Sequence, residues 1–247
     1  MYKENPKTQG SGIYTCIPQK GRCPNNCPDC FFQNGRSYLE PLDENLPNIP
    51  PDEIIKTRII RVNDGNDSNF ERDKVVDCTR DFPHKFYNTA IHKDLGCFPG
   101  PVVLTINPGN MTDTNFNSAD IGLVDKLMFV RFRVNAWNLD ICDKAVDYYS
   151  NREIPIVLTF MAYYNETIKS EYEKYYTYRK RTLNSYWAIT TAAWEMIMSR
   201  YKYNKWVYSC GKIEGELGIT SCRFCGNCIR EYWAALERMN SFKKEDL

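Results

Sequence analysis

The sequence predicts an α/β protein built on a curled parallel sheet. Three observations support this prediction: six short β-prone runs are spread along the chain, segments with helical spacing separate several of them, and 247 residues suffice for one large domain or two small ones. Right-handed crossovers between parallel strands curl such a sheet. Ligands of these sheets bind at the carboxyl ends of the strands, so the segments that follow strands are the first place to look for function.

The predicted strands are apolar, β-branched runs that end at turn-forming residues. Helical spacing predicts helices over Leu139–Tyr149 and Ser185–Tyr201. The six predicted strands are Ile13–Ile17, Ile59–Val62, Val102–Ile106, Met128–Val134, Ile156–Met161 and Trp206–Ser209.

The net charge and the hydropathy argue against attraction to nucleic acid or membranes by overall charge and against a membrane-spanning segment. The chain has 32 Lys and Arg against 31 Asp and Glu, so its formal charge of +1 creates no overall field that attracts nucleic acid or an anionic membrane. No apolar run approaches the roughly 20 residues that span a bilayer, and the first ten residues lack the apolar stretch of a secretory signal. We therefore expect a cytoplasmic protein with no membrane partner.

Cysteine usage is the unusual feature of the sequence. Eleven cysteines, an odd number in a chain with no export signal, are poorly explained by disulfides in a reducing compartment, which leaves metal binding as the better explanation. Seven of the cysteines fall into two groups near the two ends of the chain, so we expect two sites. The first group is Cys23, Cys27 and Cys30, and the second is Cys210, Cys222, Cys225 and Cys228.

The first group supplies three thiolates from one short loop, with spacing three then two. A structural zinc site and an ordinary [4Fe-4S] cluster each take four protein ligands, whereas a cluster held by three leaves one iron open to another ligand. With this C-x3-C-x2-C loop after the first strand, the sequence resembles the radical S-adenosylmethionine (SAM) superfamily over roughly residues 11 to 209. Zinc bound by the same loop, with Cys16 as the fourth ligand, is the alternative.

The resemblance implies a partial (β/α)6, TIM-like barrel over residues 1–209 and a [4Fe-4S] cluster on Cys23, Cys27 and Cys30. In that family the open iron binds the amino and carboxylate groups of SAM. An electron from a donor such as flavodoxin or ferredoxin then cleaves SAM, and the resulting 5′-deoxyadenosyl radical abstracts hydrogen from a substrate.

The resemblance also suggests where SAM would bind. Asn63, Asp64 and Gly65 follow the second predicted strand, where family members usually carry a glycine-rich turn that meets the SAM amino group. An ordinary turn explains the same residues equally well.

Polar residues near the ends of the third and fourth predicted strands are further candidates. Arg131, Arg133 and Asn135 alternate with apolar residues and so share one face, where the arginines would pair with the SAM carboxylate or with an anionic substrate. The alternative is a strand whose arginines point outward. Thr105 and Asn107 would bond the ribose hydroxyls.

The second group offers four thiolates, which close a coordination sphere. We expect an auxiliary [4Fe-4S] cluster in a small C-terminal extension, residues 210–247, and a structural zinc site is the alternative because zinc accepts C-x2-C pairs equally well.

Two substrate classes remain open. The tyrosines and basic residues between residues 172 and 181 would stack on and neutralise a nucleic acid, although a solvated helix explains them as well. The compact length and the Cys-Phe-Phe run that closes the first cysteine loop resemble the family's activating enzymes, and this resemblance implies peptide or protein modification instead, including the activation of a glycyl radical enzyme. A non-catalytic zinc-binding interaction module with two structural sites is the hypothesis from a different functional class.

Overall fold

A seven-stranded parallel sheet, curled into a half-barrel, organises the residues that the structure describes. The structure is a computed structural model, and it describes the chain apart from residues 26, 28–29, 31, 33–36, 107–124, 161, 165–167, 181–184, 215–218, 224 and 246–247. In spatial order the strands are β1 (Ile13–Cys16), β2 (Ile59–Val62), β3 (Lys85–Thr89), β4 (Val102–Ile106), β5 (Leu127–Val134), β6 (Ile156–Phe160) and β10 (Val207–Ser209).

Two small antiparallel sheets accompany the half-barrel. One has the strand order β7 (Tyr163–Tyr164), β9 (Tyr186–Ile189) and β8 (Tyr176–Arg179). The other pairs β11 (Lys212–Glu214) with β12 (Ile219–Ser221). The α-helices are α1 (Leu42–Asn45), α2 (Asp52–Ile55), α3 (Arg72–Cys78), α4 (Leu139–Ser150), α5 (Thr191–Arg200) and α6 (Asn227–Glu245), and 3-10 turns span Leu95–Cys97 and Ser170–Tyr175.

The six predicted strands are confirmed in the sheet, but the predicted number of strands is corrected from six to seven. Strand β3 was missed because its sequence, Lys-Phe-Tyr-Asn-Thr, contains only two apolar residues. Strand β3 is stabilised by its pairing with β2 and β4, and its own pattern of apolar residues does not predict it.

The predicted helix over Leu139–Tyr149 is confirmed as α4, whereas the prediction over Ser185–Tyr201 is wrong in its first part. Residues 186–189 form strand β9, and α5 begins only after Thr190, whose hydroxyl accepts a hydrogen bond from Ala193 N at 3.2 Å. This N-cap and the β-forming residues Tyr186 and Trp187 explain the later start.

The two faces of the sheet have different coverings, because side chains alternate along each strand. On β2, Ile60 and Val62 join the large core formed with α4 and α5, and we call this the convex face. Ile59 joins a second core with α6, and Arg61 follows it on the same, concave face. The concave core consists of Ile13, Ile59, Phe86, Val103, Met128, Phe129 and Val157 from the strands with Tyr232 and Ala235 from α6.

The C-terminal segment therefore completes the core of the half-barrel. Helix α6 lies on the concave face, where Arg238 donates a hydrogen bond to Leu127 O at 2.9 Å. It covers the part of that face nearer the amino ends of the strands and leaves the polar residues nearer the carboxyl ends uncovered. Among the described residues, no helix combines the length and the apolar content that crossing a membrane requires.

Candidate functional site: a cavity between two cysteine groups

A cavity of about 460 Å³ lies at the carboxyl ends of the parallel strands, on the concave face. Cys23, Cys27 and Cys30, from the loop after β1, line it together with Cys210 and Cys222, from the segment after β10. Strands β1 and β10 are at opposite edges of the sheet, so these loops meet only because the sheet is curled. Both predicted cysteine groups thus border one cavity.

Several buried polar atoms on the cavity wall have no hydrogen-bond partner among the described residues. The unpartnered donors are Arg61 Nε, Arg131 Nε and Asn66 Nδ2, and the unpartnered acceptors are Asn63 Oδ1 and Asn88 Oδ1. Leaving one such group unsatisfied costs about 1–3 kcal/mol. The cavity is therefore suited to a polar ligand that carries both donors and acceptors.

The first cysteine loop folds back over the turn that follows β2. Cys30 N donates to Cys27 O at 3.2 Å, which holds these two cysteines close together. Beyond it, the buried ring of Phe32 lies directly against Gly65, where an added Cβ would be 2.0 Å from Phe32 Cζ. Only glycine at position 65 allows the loop to approach this closely.

Asp64 is held by two neighbours rather than left open to a ligand. Arg61 donates to one of its carboxylate oxygens and Asn5 to the other. Burial alone would lower the pKa of Arg61, but the charges of Asp64 and of the second cysteine group outweigh burial and raise it, so Arg61 stays protonated.

Asp67 ties three segments of the wall together. Its carboxylate accepts hydrogen bonds from Ala90 N and Thr89 Oγ1, both at 2.7 Å, at the end of β3, and from Asn25 Nδ2, at 3.2 Å, in the cysteine loop. Burial raises its pKa, while these hydrogen bonds oppose that rise. Asp67 therefore fixes the position of the cysteine loop relative to the sheet.

Arg133 belongs to the first cysteine group. Burial lowers the pKa of its guanidinium, and the neighbouring Cys30 and Cys27 oppose that effect, with a hydrogen bond between Arg133 and Cys30. Arg133 is a cation that the sheet places beside this loop, and it lines the cavity.

The thiols of Cys23 and Cys27 are protonated when no metal is bound. Burial raises the pKa of Cys23 to about 12, and it also raises the pKa of Cys27, where Arg133 acts in the opposite direction. Binding of a metal group must therefore release protons from this loop.

The second cysteine group is built where α6 begins. Cys225 N donates to Cys222 O at 3.1 Å, the same backbone hydrogen bond that joins Cys30 to Cys27, and Gly211 N donates to Cys225 Sγ at 3.4 Å. Asn227, the first residue of α6, donates from Nδ2 to Ser209 O at 2.7 Å and so joins the group to the end of β10. Cys228 lies in the first turn of α6.

Cations surround this group. A hydrogen bond from Cys222 lowers the pKa of Cys210, which Arg131 and Lys7 lower further, and the same contact raises the pKa of Cys222. In this pair the hydrogen bond favours the charged form of Cys210 and the neutral form of Cys222.

Cys228 in the same group remains a thiol. Burial raises its pKa to about 11, although Arg61 and Arg131 oppose that rise. Arg131 also lies over the ring of Phe129, with Cζ 5.5 Å from its centroid. The two arginines of β5, although on one face, therefore face different cysteine groups: Arg133 the first and Arg131 the second.

Three further residues were predicted to contact SAM, and they differ in where the structure places them. Thr105 lines the cavity. Asn135 does not, because its Nδ2 donates to Tyr163 Oη at 2.9 Å and its Oδ1 accepts from Trp137 N at 3.0 Å, which engages the side chain in the turn after β5. Asn107 lies outside the described residues.

Within the described part of the chain, no three Cys, His, Asp or Glu side chains are grouped as ligands of one metal ion. Whether a metal group fits therefore depends on the thiols of the two cysteine groups and on the charged side chains beside them. Three thiols with an arginine beside them, and four with three cations beside them, suit anionic thiolate-bound clusters.

Sequence reasoning missed several lining residues. Arg61, Asn88 and Thr159 each occupy the position before the last residue of a strand, as Thr105 does in β4. A polar residue at the penultimate position of several strands is visible in the sequence and could have predicted these lining residues. Asn5 and Lys7 carry no such signal, because only the folded chain brings the N-terminal segment to the cavity.

Comparison with known proteins finds no family model that matches the sequence, and no curated protein or solved structure that is significantly similar to the chain.

Proposed function

We propose that this chain is a radical SAM enzyme in which Cys23, Cys27 and Cys30 hold a [4Fe-4S] cluster. The observation that carries the proposal is the shared cavity: a loop with three thiols, and no fourth cysteine in the same loop, opens onto unpartnered donors and acceptors. A structural zinc site has no need of such a cavity, because its four protein ligands complete its coordination.

The wall offers complementary groups for each polar part of SAM. Arg133, beside the first group, suits the carboxylate, and the unpartnered Oδ1 atoms of Asn63 and Asn88 suit the ammonium. Thr105 suits a ribose hydroxyl. Asp64 is proposed as an indirect contributor, because both of its oxygens are already engaged, and Gly65 contributes by admitting Phe32.

The chemistry that the group supplies when bound is reductive cleavage of SAM, with electrons from a flavodoxin or ferredoxin, to a 5′-deoxyadenosyl radical that abstracts hydrogen from substrate. The chain's own part is to orient SAM and to exclude water. The cysteine loop, the turn after β2 and the N-terminal segment at Asn5–Lys7 enclose the cavity for this purpose.

For the second group we propose an auxiliary [4Fe-4S] cluster on Cys210, Cys222, Cys225 and Cys228. Arg61, Arg131 and Lys7 support this proposal, because a cluster bound by four thiolates is anionic: Arg131 and Lys7 lower the pKa of Cys210, and Arg61 and Arg131 oppose the rise in the pKa of Cys228. Substrate would then occupy the part of the cavity between the two groups.

The proposal is tested by incubating anaerobically purified protein with SAM and dithionite and measuring 5′-deoxyadenosine. We expect the parent to form it, and Cys27→Ala to fall to background while retaining the far-ultraviolet spectrum of the folded chain. Cys97→Ala is the matched control, because Cys97 is exposed and lies outside both groups.

Two results would contradict the proposal. One is a Cys27→Ala variant that is as active as the parent. The other is colourless protein that contains zinc in place of the roughly eight irons of two cubanes, which would favour the non-catalytic zinc-binding module.

A further inference from the structure

The small sheet β7–β9–β8 stands at the carboxyl end of the half-barrel, next to the strand that carries Arg131 and Arg133. Two hydrogen bonds fasten it to the turn after β5: Asn135 Nδ2 to Tyr163 Oη at 2.9 Å, and Ala136 N to Tyr176 Oη at 3.0 Å. Trp137 packs between these rings, with centroids 4.9 Å from Tyr163 and 5.8 Å from Tyr176. The small sheet is therefore fixed to the same end of the half-barrel as the cavity.

The register of the small sheet separates its two faces. Tyr176 pairs with Ile189, and both are buried in the convex core. The intervening positions belong to the other face, so Arg179, its partner Tyr186 and Tyr164, which pairs with Tyr186 from the other side, lie together on the outer face.

This outer face carries two half-buried aromatic rings and a cation. The centroids of Tyr164 and Tyr186 are 5.9 Å apart, and the Arg179 guanidinium lies 6.0 Å from the Tyr186 centroid. Lys180 follows Arg179 and is exposed. Among the described residues, no carboxylate forms an ion pair with Arg179 or Lys180, and Arg179 Nε has no hydrogen-bond partner.

We propose that this face binds single-stranded nucleic acid, with bases stacked on Tyr164 and Tyr186 and phosphates near Arg179 and Lys180. Aromatic rings presented by a small sheet, with cations at their edge, recognise unpaired bases because every base has a π-face and every linkage carries a negative charge. The net charge of +1 does not oppose this, since the cations are local. That the bound strand presents a nucleotide to the cavity is a second step, and it rests on the proposed function.

The observations favour nucleic acid over a peptide as the occupant. An extended peptide would be recognised by an open sheet edge or an apolar groove. The outer face offers instead a ring pair with a neighbouring guanidinium, and no carboxylate among the described residues pairs with that guanidinium.

The test is fluorescence anisotropy of the full chain with a single-stranded RNA of about twelve nucleotides and its DNA counterpart, at low and high salt. We expect Tyr186→Ala to weaken binding roughly ten-fold, Tyr186→Phe to bind as the parent does, and Arg179→Ala to reduce the salt dependence. Tyr203→Ala is the matched control, because Tyr203 is exposed beside Lys202, whose Nζ lies 5.5 Å from the ring, but is outside the small sheet.

Three results would overturn the inference. These are no binding of either oligonucleotide, equal weakening by Tyr203→Ala and Tyr186→Ala, and equal competition by a polyglutamate peptide, which would show a response to charge alone. Binding needs no SAM cleavage, so the two proposals fail separately. A chain that binds RNA without forming 5′-deoxyadenosine defeats only the proposed function, and a chain that cleaves SAM without binding RNA or DNA defeats only this inference.

Discussion

The two faces of the seven-stranded sheet bury different kinds of side chain. The convex face is apolar along its strands and is closed by α4 and α5. The concave face is apolar only where α6 covers it, and beyond that the buried Arg61 and the half-buried Arg131 and Arg133 lie between two cysteine groups. Burying charges and unpartnered amides opposes folding, so the concave polar residues are explained by a ligand rather than by stability.

Strand β5 allows this difference to be tested on neighbouring residues. Phe132 is fully buried on the convex face, 5.6 Å from the ring of Tyr149 in α4, whereas Arg133 is on the concave face. We expect Phe132→Ala to lower the free energy of unfolding by about 3–5 kcal/mol, measured by urea denaturation. If this variant does not fold, Phe132→Leu should lose about 1 kcal/mol.

Arg133→Met should show the opposite behaviour. Its free energy of unfolding should stay within about 1 kcal/mol of the parent, because a buried cation is replaced by an apolar side chain of similar length. Its SAM affinity, measured by equilibrium dialysis, should fall at least roughly ten-fold through loss of a charged hydrogen bond. Arg131→Met is the matched variant and should affect SAM less. The distinction between the faces would fail if both arginine variants lost the same amount of SAM affinity, or if Arg133→Met did not fold.

The next prediction concerns the contact between the cysteine loop and the turn after β2. In Gly65→Ala the new Cβ would overlap the Phe32 ring, so the loop must move, at a cost of about 1–3 kcal/mol. We expect reconstituted protein to lose roughly half of its iron, that of the first group, and to lose 5′-deoxyadenosine formation with it.

A control and a rescue test this explanation. Gly100→Ala should be neutral, because the nearest atom to its new Cβ, Lys85 O, is 3.5 Å away. Combining Gly65→Ala with Phe32→Leu should restore part of the iron. Full iron content in Gly65→Ala would show that the loop does not depend on this contact.

The sequence predicted those parts of the fold that local patterns determine. Apolar runs located six strands and the spacing of Leu139–Tyr149 located α4, because these segments bury one side of a regular element. Strand β3 escaped because its stability comes from its neighbours, and residues 186–189 were assigned to a helix because their apolar residues continue the spacing of α5.

The candidate site was predicted in the same uneven way. The spacing of Cys23, Cys27 and Cys30 is local and was recognised. Asp67 and Arg61 were not, because what they do depends on partners distant in sequence: Thr89 and Asn25 for the former, and the second cysteine group for the latter. The sequence did not predict that the two cysteine groups share a cavity, which follows from the curl of the sheet.

The smallest predicted effect is on the outer side of the convex face, where charge is exposed rather than buried. Asp143 in α4 accepts hydrogen bonds from Arg200 in α5 and from Tyr201, the latter at 2.6 Å. Burial would raise the pKa of Asp143, but these hydrogen bonds outweigh it and lower the pKa below 3.8. Both charged side chains are more than a third exposed, so the pair contributes less than about 1 kcal/mol.

The pH dependence of this contribution has a definite sign. Because the pKa of Asp143 is lower in the folded chain than in the unfolded one, the stabilisation is fully present above 3.8 and is lost as the pH falls through the folded-state pKa. Asp143→Asn should therefore unfold more easily than the parent near neutral pH, by less than about 1 kcal/mol, and the difference should vanish below the folded-state pKa.

Urea denaturation of metal-free protein at neutral and at acidic pH measures this difference. Asp147→Asn is the control, since Asp147 is exposed on the same helix and forms no ion pair among the described residues. A stability difference that persisted in acid would mean that Asp143 acts through packing rather than through its charge. The contrast between an exposed, stabilising ion pair and the charged residues of the cavity would then not hold.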